Sequence, residues 1–300
     1  MWSRVATVLL ACVFTSAGCD SSDPPENQAQ DSKAAAAPSV PTPAIPAAPS
    51  RTDAIAASIA STDRLPGDAD EDGWRKPEVI LDLLGIEPGM EVIDVFAAGG
   101  YYTELLARAV GPQGRVIAYN NAPYAQYAGG KLEERYGGAR LANVEQLTAE
   151  TDELLLPPAS LDAALFVMSY HDLYWRPEDG GWPETDPADL LSRLHVALRP
   201  GGVVVVQDHI AEPGTDPVEG VGALHRIDPE IVKRDFAAAG FVFDGGSEAL
   251  RHPEDDHTRL VLDESVRRRT DQFIYRFVKP AGEGEDRSAS ALSLRGRRHL

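Results

Sequence analysis

Between about residue 74 and residue 280 the apolar positions alternate between two patterns. Short β-branched runs give way to segments with a helical apolar stripe, and then the runs return. Val92, Ile93 and Val95 form one such run, suited to a buried parallel strand over Glu91–Val95. Gly99 and Gly100 follow, and then Leu105, Leu106 and Ala109 share one helical face, predicting a helix to Val110. Upstream, "RKPEVILDLLG" predicts a helix from Pro77, with Val79, Ile80, Leu83 and Leu84 inward and Gly85 as its stop. Downstream the pattern predicts strands at "RVIAY", "NVEQL", "LDAALFVMS" and "VVVVQ", and a late strand in "RTDQFIYRFVKP". Helices are expected over about Tyr124–Tyr136, about Pro187–Leu198 and through "DPEIVKRDFAAAGF". Such alternation predicts an α/β domain with a parallel sheet and right-handed crossovers.

The two ends of the chain read differently. Arg4 followed by the apolar stretch Val5–Phe14 has the form of a secretory signal, too short for a mature membrane span. Ser16-Ala17-Gly18-Cys19 then resembles the lipobox of bacterial lipoproteins, which implies cleavage before Cys19 and lipidation of that cysteine. Asp20 after it resembles the residue that retains lipoproteins at the inner membrane. The expectation is a cell-envelope lipoprotein on the periplasmic face of that membrane, its only membrane contact the N-terminal lipid. The expected organisation is a signal at 1–18, an Ala/Pro-rich tether at 19–50, the α/β domain at 51–280 and a disordered tail at 281–300. With Cys12 removed, no disulfide and no cysteine-based zinc site is expected.

Nearly all of the net charge of −19 falls on the domain. A body so acidic repels nucleic acid and anionic lipid head groups, so no nucleic-acid substrate is expected.

Candidate chemistry gathers where ligands bind in open α/β sheets, at the carboxyl ends of the strands. "SYHDLYW" follows the fourth strand and "QDHIAE" the fifth, so His171, Asp172, Asp208 and His209 are expected near one another. An imidazole flanked by carboxylates suits a general base near neutral pH, with His171 as proton acceptor and Asp172 or Asp208 as its orienting partner. Asp228 before Pro229 reads as a helix cap, while His225 and Arg226 are placed to close over the site. His252 and His257 in "HPEDDH" lack a ligand spacing and read as a solvated acidic turn, so no metal is assigned. Trp175 and Trp182 flank a Gly/Pro-rich loop, as pocket wall or as loop anchor.

The strand–glycine–helix turn, the "LDAALFVMS" strand and "LRPGG" before a β-branched strand together resemble the class I S-adenosylmethionine-dependent methyltransferases. "SYHDLYW", "LHRID" and "TDQFIYRFVKP" resemble a group of bacterial predicted methyltransferases. The resemblance spans about Trp74 to Pro280. It implies a Rossmann-like, doubly wound, mostly parallel seven-stranded sheet and S-adenosyl-L-methionine as cofactor. It places Asp94, Gly99 and Gly100 around the cofactor's amino-acid part, Asn120 at the ribose, and Asp152, with Glu150 close behind, at the adenine. Phe96 and Ala98 stand where the family usually carries glycine. The expected activity is methyl transfer to a small molecule. Because the cofactor is made in the cytoplasm, a repurposed, lipid-tethered binding protein and an exported hydrolase stand as alternatives.

Overall fold

The computed structural model describes residues 49–281 with the exception of Asp179. The expected signal, Cys19, nearly all of the tether and all but the first residue of the tail lie outside the described residues. Three helices lead in: α1 (Arg51–Ile59), α2 (Asp68–Arg75) and α3 (Pro77–Leu84). Then follow β1 (Glu91–Val95), α4 (Tyr101–Val110), β2 (Arg115–Asn120), α5 (Ala122–Ala128), α6 (Gly130–Tyr136), β3 (Val144–Thr148) and β4 (Leu161–Val167). The second half holds α7 (Pro187–Ala197), β5 (Leu198–His209), α8 (Pro217–Leu224), α9 (Pro229–Ala238), β6 (Val242–Ser247) and β7 (Gln272–Val278).

The strands form one seven-stranded sheet in the order β3-β2-β1-β4-β5-β7-β6. β1 pairs in parallel with β2 and β4, and β4 with β5, whereas β7 runs antiparallel to both β5 and β6. Chain order reverses between β1 and β4, and the carboxyl ends of those two strands open the crevice in which such sheets bind ligands.

Successive strand residues face opposite sides of the sheet. Ile93, Val95, Ile117, Tyr119, Phe166 and Val206 therefore join one apolar cluster with α7 and α9 residues such as Leu190 and Phe236. Val92, Val116, Leu165 and Val205 join the other, with Ile55, Ile80 and Leu105 from α1, α3 and α4. Burial on both faces is what the unbroken β-branched runs of the central strands foreshadow.

The expected helix over Tyr124–Tyr136 is two helices, α5 and α6, parted at Gly129, whose φ of 50° and ψ of −131° leave the helical region. β6 was not expected. Its "VFDGGS" carries two glycines and lies largely exposed at the sheet edge, paired to β7 across a register shift between Phe243 and Gly246. Among the described residues, no helix is long and apolar enough to cross a membrane.

Candidate active site

The turn after β1 keeps a left-handed backbone without the expected glycines. Phe96, Ala98 and Gly100 have φ values of 56°, 48° and 77°. Such conformations cost non-glycine residues about 1–3 kcal/mol each and persist where neighbours fix them. Asn120 does the fixing at Ala98: its Oδ1 accepts the Ala98 N–H at 2.8 Å and its amide donates to the Ala98 carbonyl at 3.3 Å. Asn120, expected at the ribose, thus braces the turn through both polar atoms of its buried side chain.

Gly100 is also a structural requirement. A Cβ there would lie 2.0 Å from the Tyr136 hydroxyl and 2.8 Å from Arg135 Cδ. α6 is held over the turn by Glu104 of α4, which is fully buried and takes Arg135 at 2.6 Å, Arg140 at 2.6 Å and Arg108 at 2.8 Å. Burial alone would raise the Glu104 pKa, but the arginines hold it below the usual carboxylate value. At Gly99 a Cβ would meet the flexible Lys131 side chain at 3.2 Å. Side chains of α6 thus lie against Gly99 and Gly100, the stretch expected to meet a ligand's amino-acid part.

Asp94, at the end of β1, accepts the Thr103 hydroxyl at 2.6 Å. Burial pushes its pKa up to about 7, against the opposing pull of Thr103, Arg75 and Arg135. The Phe96 ring stacks on Tyr124 at 4.8 Å between centroids, with Trp182 edge-on to both. An aromatic wall thus fills the place expected to hold glycine.

At the ends of β2 and β3 the polar groups are less fully used. Asn121 caps α5 by accepting the Tyr124 N–H, while its buried Nδ2 has no partner among the described residues. Glu150 accepts the Ala122 N–H through Oε1, and its buried Oε2 is likewise unpartnered. Asp152 points into solvent from the next turn. Glu150, the second of the two carboxylates expected near the adenine, folds back onto the start of α5.

Beyond β4 the backbone bends sharply at Met168, whose φ is 51°. The bend delivers a one-turn 3₁₀ segment, His171–Tyr174, against the end of β5. There His171 Nδ1 lies 2.7 Å from Asp208 Oδ1, and Asp208 also accepts the backbone N–H groups of His171 and His209. Asp208 is the orienting partner. Asp172 Oδ1 lies 3.3 Å from His171 Nε2 and 3.7 Å from His225 Nδ1, while its Oδ2 accepts the Tyr124 hydroxyl.

Burial alone would lower the His171 pKa, but the Asp172 and Asp208 carboxylates outweigh it and push it up to about 9. The two carboxylates thus favour the protonated form of the ring. Both carboxylates expected to orient His171 face it, Asp208 at Nδ1 and Asp172 at Nε2. His209 takes the opposite state: burial lowers it to about 4, and its Nδ1 lies 2.8 Å from the Thr270 hydroxyl.

Of the "LHRID" residues, Asp228 caps α9 by accepting the Glu230 N–H. His225 joins the cluster, with its ring 5.5 Å from His171 and 5.2 Å from Trp175. Arg226 turns the other way and pairs with buried Asp255 at 2.8 Å. The "HPEDDH" segment is a largely exposed turn, as expected, but it is anchored by buried Asp255, and His257 bridges Glu212 and Asp271, each at 3.1 Å. A cleft of about 730 Å³ opens elsewhere, between the starts of β2 and β3 and residues of α1. That is the end of the sheet away from the crevice.

No family model matches this chain. Among curated proteins it is 26% identical over 147 residues to the ubiquinone/menaquinone biosynthesis C-methyltransferase of Hahella chejuensis, covering 48% of this chain and 51% of that one. It is 27% identical over 178 residues to the protein-L-isoaspartate O-methyltransferase of Methanopyrus kandleri, covering 59% of this chain and 68% of that one. The chain spans about half the length of the first curated relatives it matches. Among solved structures, a protein of Galdieria sulphuraria designated a candidate sarcosine dimethylglycine methyltransferase superposes with a TM-score of 0.50 at 16% identity, covering 71% and 87% of the two chains. A [4+2]-cyclase superposes with a TM-score of 0.50 at 16% identity, covering 79% and 99%. The fold is the Rossmann-like methyltransferase fold, with a mixed, mostly parallel sheet of seven strands.

Proposed function

We propose that this chain is an S-adenosylmethionine-dependent methyltransferase acting on a small molecule. The observation that carries the reading is the sheet order, with a braced left-handed turn between β1 and α4 at the point where strand order reverses. Sequence similarity to two methyltransferases of different specificity supports it.

The cofactor fits best by its nucleoside end. Glu150 offers an unpartnered acceptor and Asn121 an unpartnered donor, and the Phe96–Tyr124 stack supplies a flat aromatic surface. When bound, the cofactor supplies a methyl group already activated on a sulfonium sulfur. The chain's task is then alignment and electrostatics. His171, held by Asp208 and facing Asp172, shapes the electrostatics of the place where an acceptor would lie. Trp175 and His225 border the same space.

The repurposed, ligand-binding reading draws support from the cover that Arg135 and Tyr136 place over Gly100. We further propose export and anchoring through lipidated Cys19 at the periplasmic face of the inner membrane, on the strength of Arg4, the Val5–Phe14 stretch and Ser16-Ala17-Gly18-Cys19.

Calorimetry on single variants tests the nucleoside end. Glu150→Ala is expected to weaken S-adenosylmethionine binding about 10- to 100-fold, the value of a hydrogen bond to a charged group. Asp152→Ala is expected to leave it unchanged. The reverse ranking would refute the assignment.

A further inference from the structure

His171, Asp172 and His225 each offer one ligand atom, and these atoms all lie within 4.8 Å of one another. They come from the 3₁₀ segment after β4 and from the residue that ends α8, so the chain brings them together from 53 positions apart in the sequence only by folding. We infer that His171 Nε2, His225 Nδ1 and Asp172 Oδ1 form a binding site for one divalent transition-metal ion of the zinc class.

The distances suit such an ion. With metal–ligand bonds of about 2.0–2.1 Å, the edges of a tetrahedron are about 3.3–3.4 Å. Asp172 Oδ1 is 3.3 Å from His171 Nε2 and 3.7 Å from His225 Nδ1, so closure needs shifts of only tenths of an ångström along these two edges. Two imidazoles and a carboxylate favour zinc and its neighbours over magnesium or calcium, which prefer oxygen.

The surroundings hold each ligand as a metal site requires. Asp208 binds His171 Nδ1, the ring nitrogen that does not face the site, at 2.7 Å. A carboxylate on the far nitrogen is the usual support of a metal-bound histidine. The Tyr124 hydroxyl occupies Asp172 Oδ2 and leaves Oδ1 facing the two imidazoles. His225 is held in a left-handed conformation with φ of 52°, its ring packed against Trp175. All three ligands are buried or partly buried, which distinguishes them from an exposed acidic patch.

Three protein ligands leave a fourth position open, as in catalytic rather than structural zinc sites. The ion takes the place of the proton on His171 Nε2, which passes to solvent on binding. The open position would then be free to take a water or an acceptor group. Metal binding itself does not depend on the methyltransferase reading, because it is measured without cofactor or acceptor.

The test uses the purified full chain, stripped with chelator and titrated with Zn²⁺ against a chromophoric competitor, with Co²⁺ as a spectroscopic substitute. The expected result is one equivalent of Zn²⁺, a tetrahedral Co²⁺ spectrum, and no competition from excess Mg²⁺. His225→Asn removes an imidazole but keeps a residue that tolerates the left-handed backbone. It is expected to weaken Zn²⁺ by more than the about 10- to 100-fold typical of losing a supporting residue. His257→Ala is expected to leave the titration unchanged, and circular dichroism confirms that both variants fold. Failure of the wild-type chain to bind one equivalent would overturn the site. So would binding that persists undiminished in His225→Asn.

Discussion

Asp94 shows how one buried side chain can couple this fold to pH. Burial raises its pKa from 3.8 to about 7, against Thr103, Arg75 and Arg135. The folded chain therefore holds this proton more tightly than the unfolded chain does. The stability it contributes is complete below about pH 4 and is lost as pH rises through about 7. Wild type is expected to lose more stability than Asp94→Asn between those limits, read from urea midpoints across the range. Parallel profiles for the two proteins would contradict the assignment. Gly100 makes a second prediction at this scale. Its φ of 77° and the Tyr136 hydroxyl 2.0 Å from the position of a Cβ make Gly100→Ala a packing defect. A loss of about 1–3 kcal/mol is expected, partly recovered in the double variant with Tyr136→Phe. Full stability in Gly100→Ala would show that α6 does not press on the turn.

At the scale of elements, the sequence was most legible where period and burial agree. β1, β2, β4 and β5 are buried on both faces and announce themselves as β-branched runs; the caps Asp186 and Asp228, each followed by proline, mark α7 and α9. β6 was hidden because Gly245 and Gly246 interrupt any alternation, and its pairing with β7 supplies what local propensity does not. The crevice was legible only in part. His171, Asp172, Asp208 and His209 follow from strand ends alone. The proposed preference for Asn121 over Asn120 and for Glu150 over Asp152 rests on where each side chain spends its hydrogen bonds, which spacing does not reveal. The 251–261 segment likewise owes its position to a buried pair distant in sequence, Arg226 and Asp255. Removing the cation strands a buried carboxylate, so Arg226→Met is expected to cost about 3–5 kcal/mol. His252→Ala, on the same segment, should stay within about 0.5 kcal/mol. Equal effects in urea denaturation would show that the pair does not hold this segment.

At the scale of the whole molecule, an acidic catalytic domain is proposed to hang from a lipid on the envelope side of a membrane. Cys19→Ser is expected to release the protein from the membrane fraction or leave it uncleaved, and unmodified wild-type protein in the cytoplasm would refute the anchor. That placement sharpens the question of the cofactor, because an exported enzyme must meet S-adenosylmethionine outside its compartment of synthesis. The fold admits other uses, as a superposable cyclase illustrates. The most direct test is calorimetry of the purified full chain with S-adenosylmethionine and with its demethylated product. One saturable site per chain, shared competitively by the two, is the predicted result. A folded chain that binds neither compound at millimolar concentration would contradict the account.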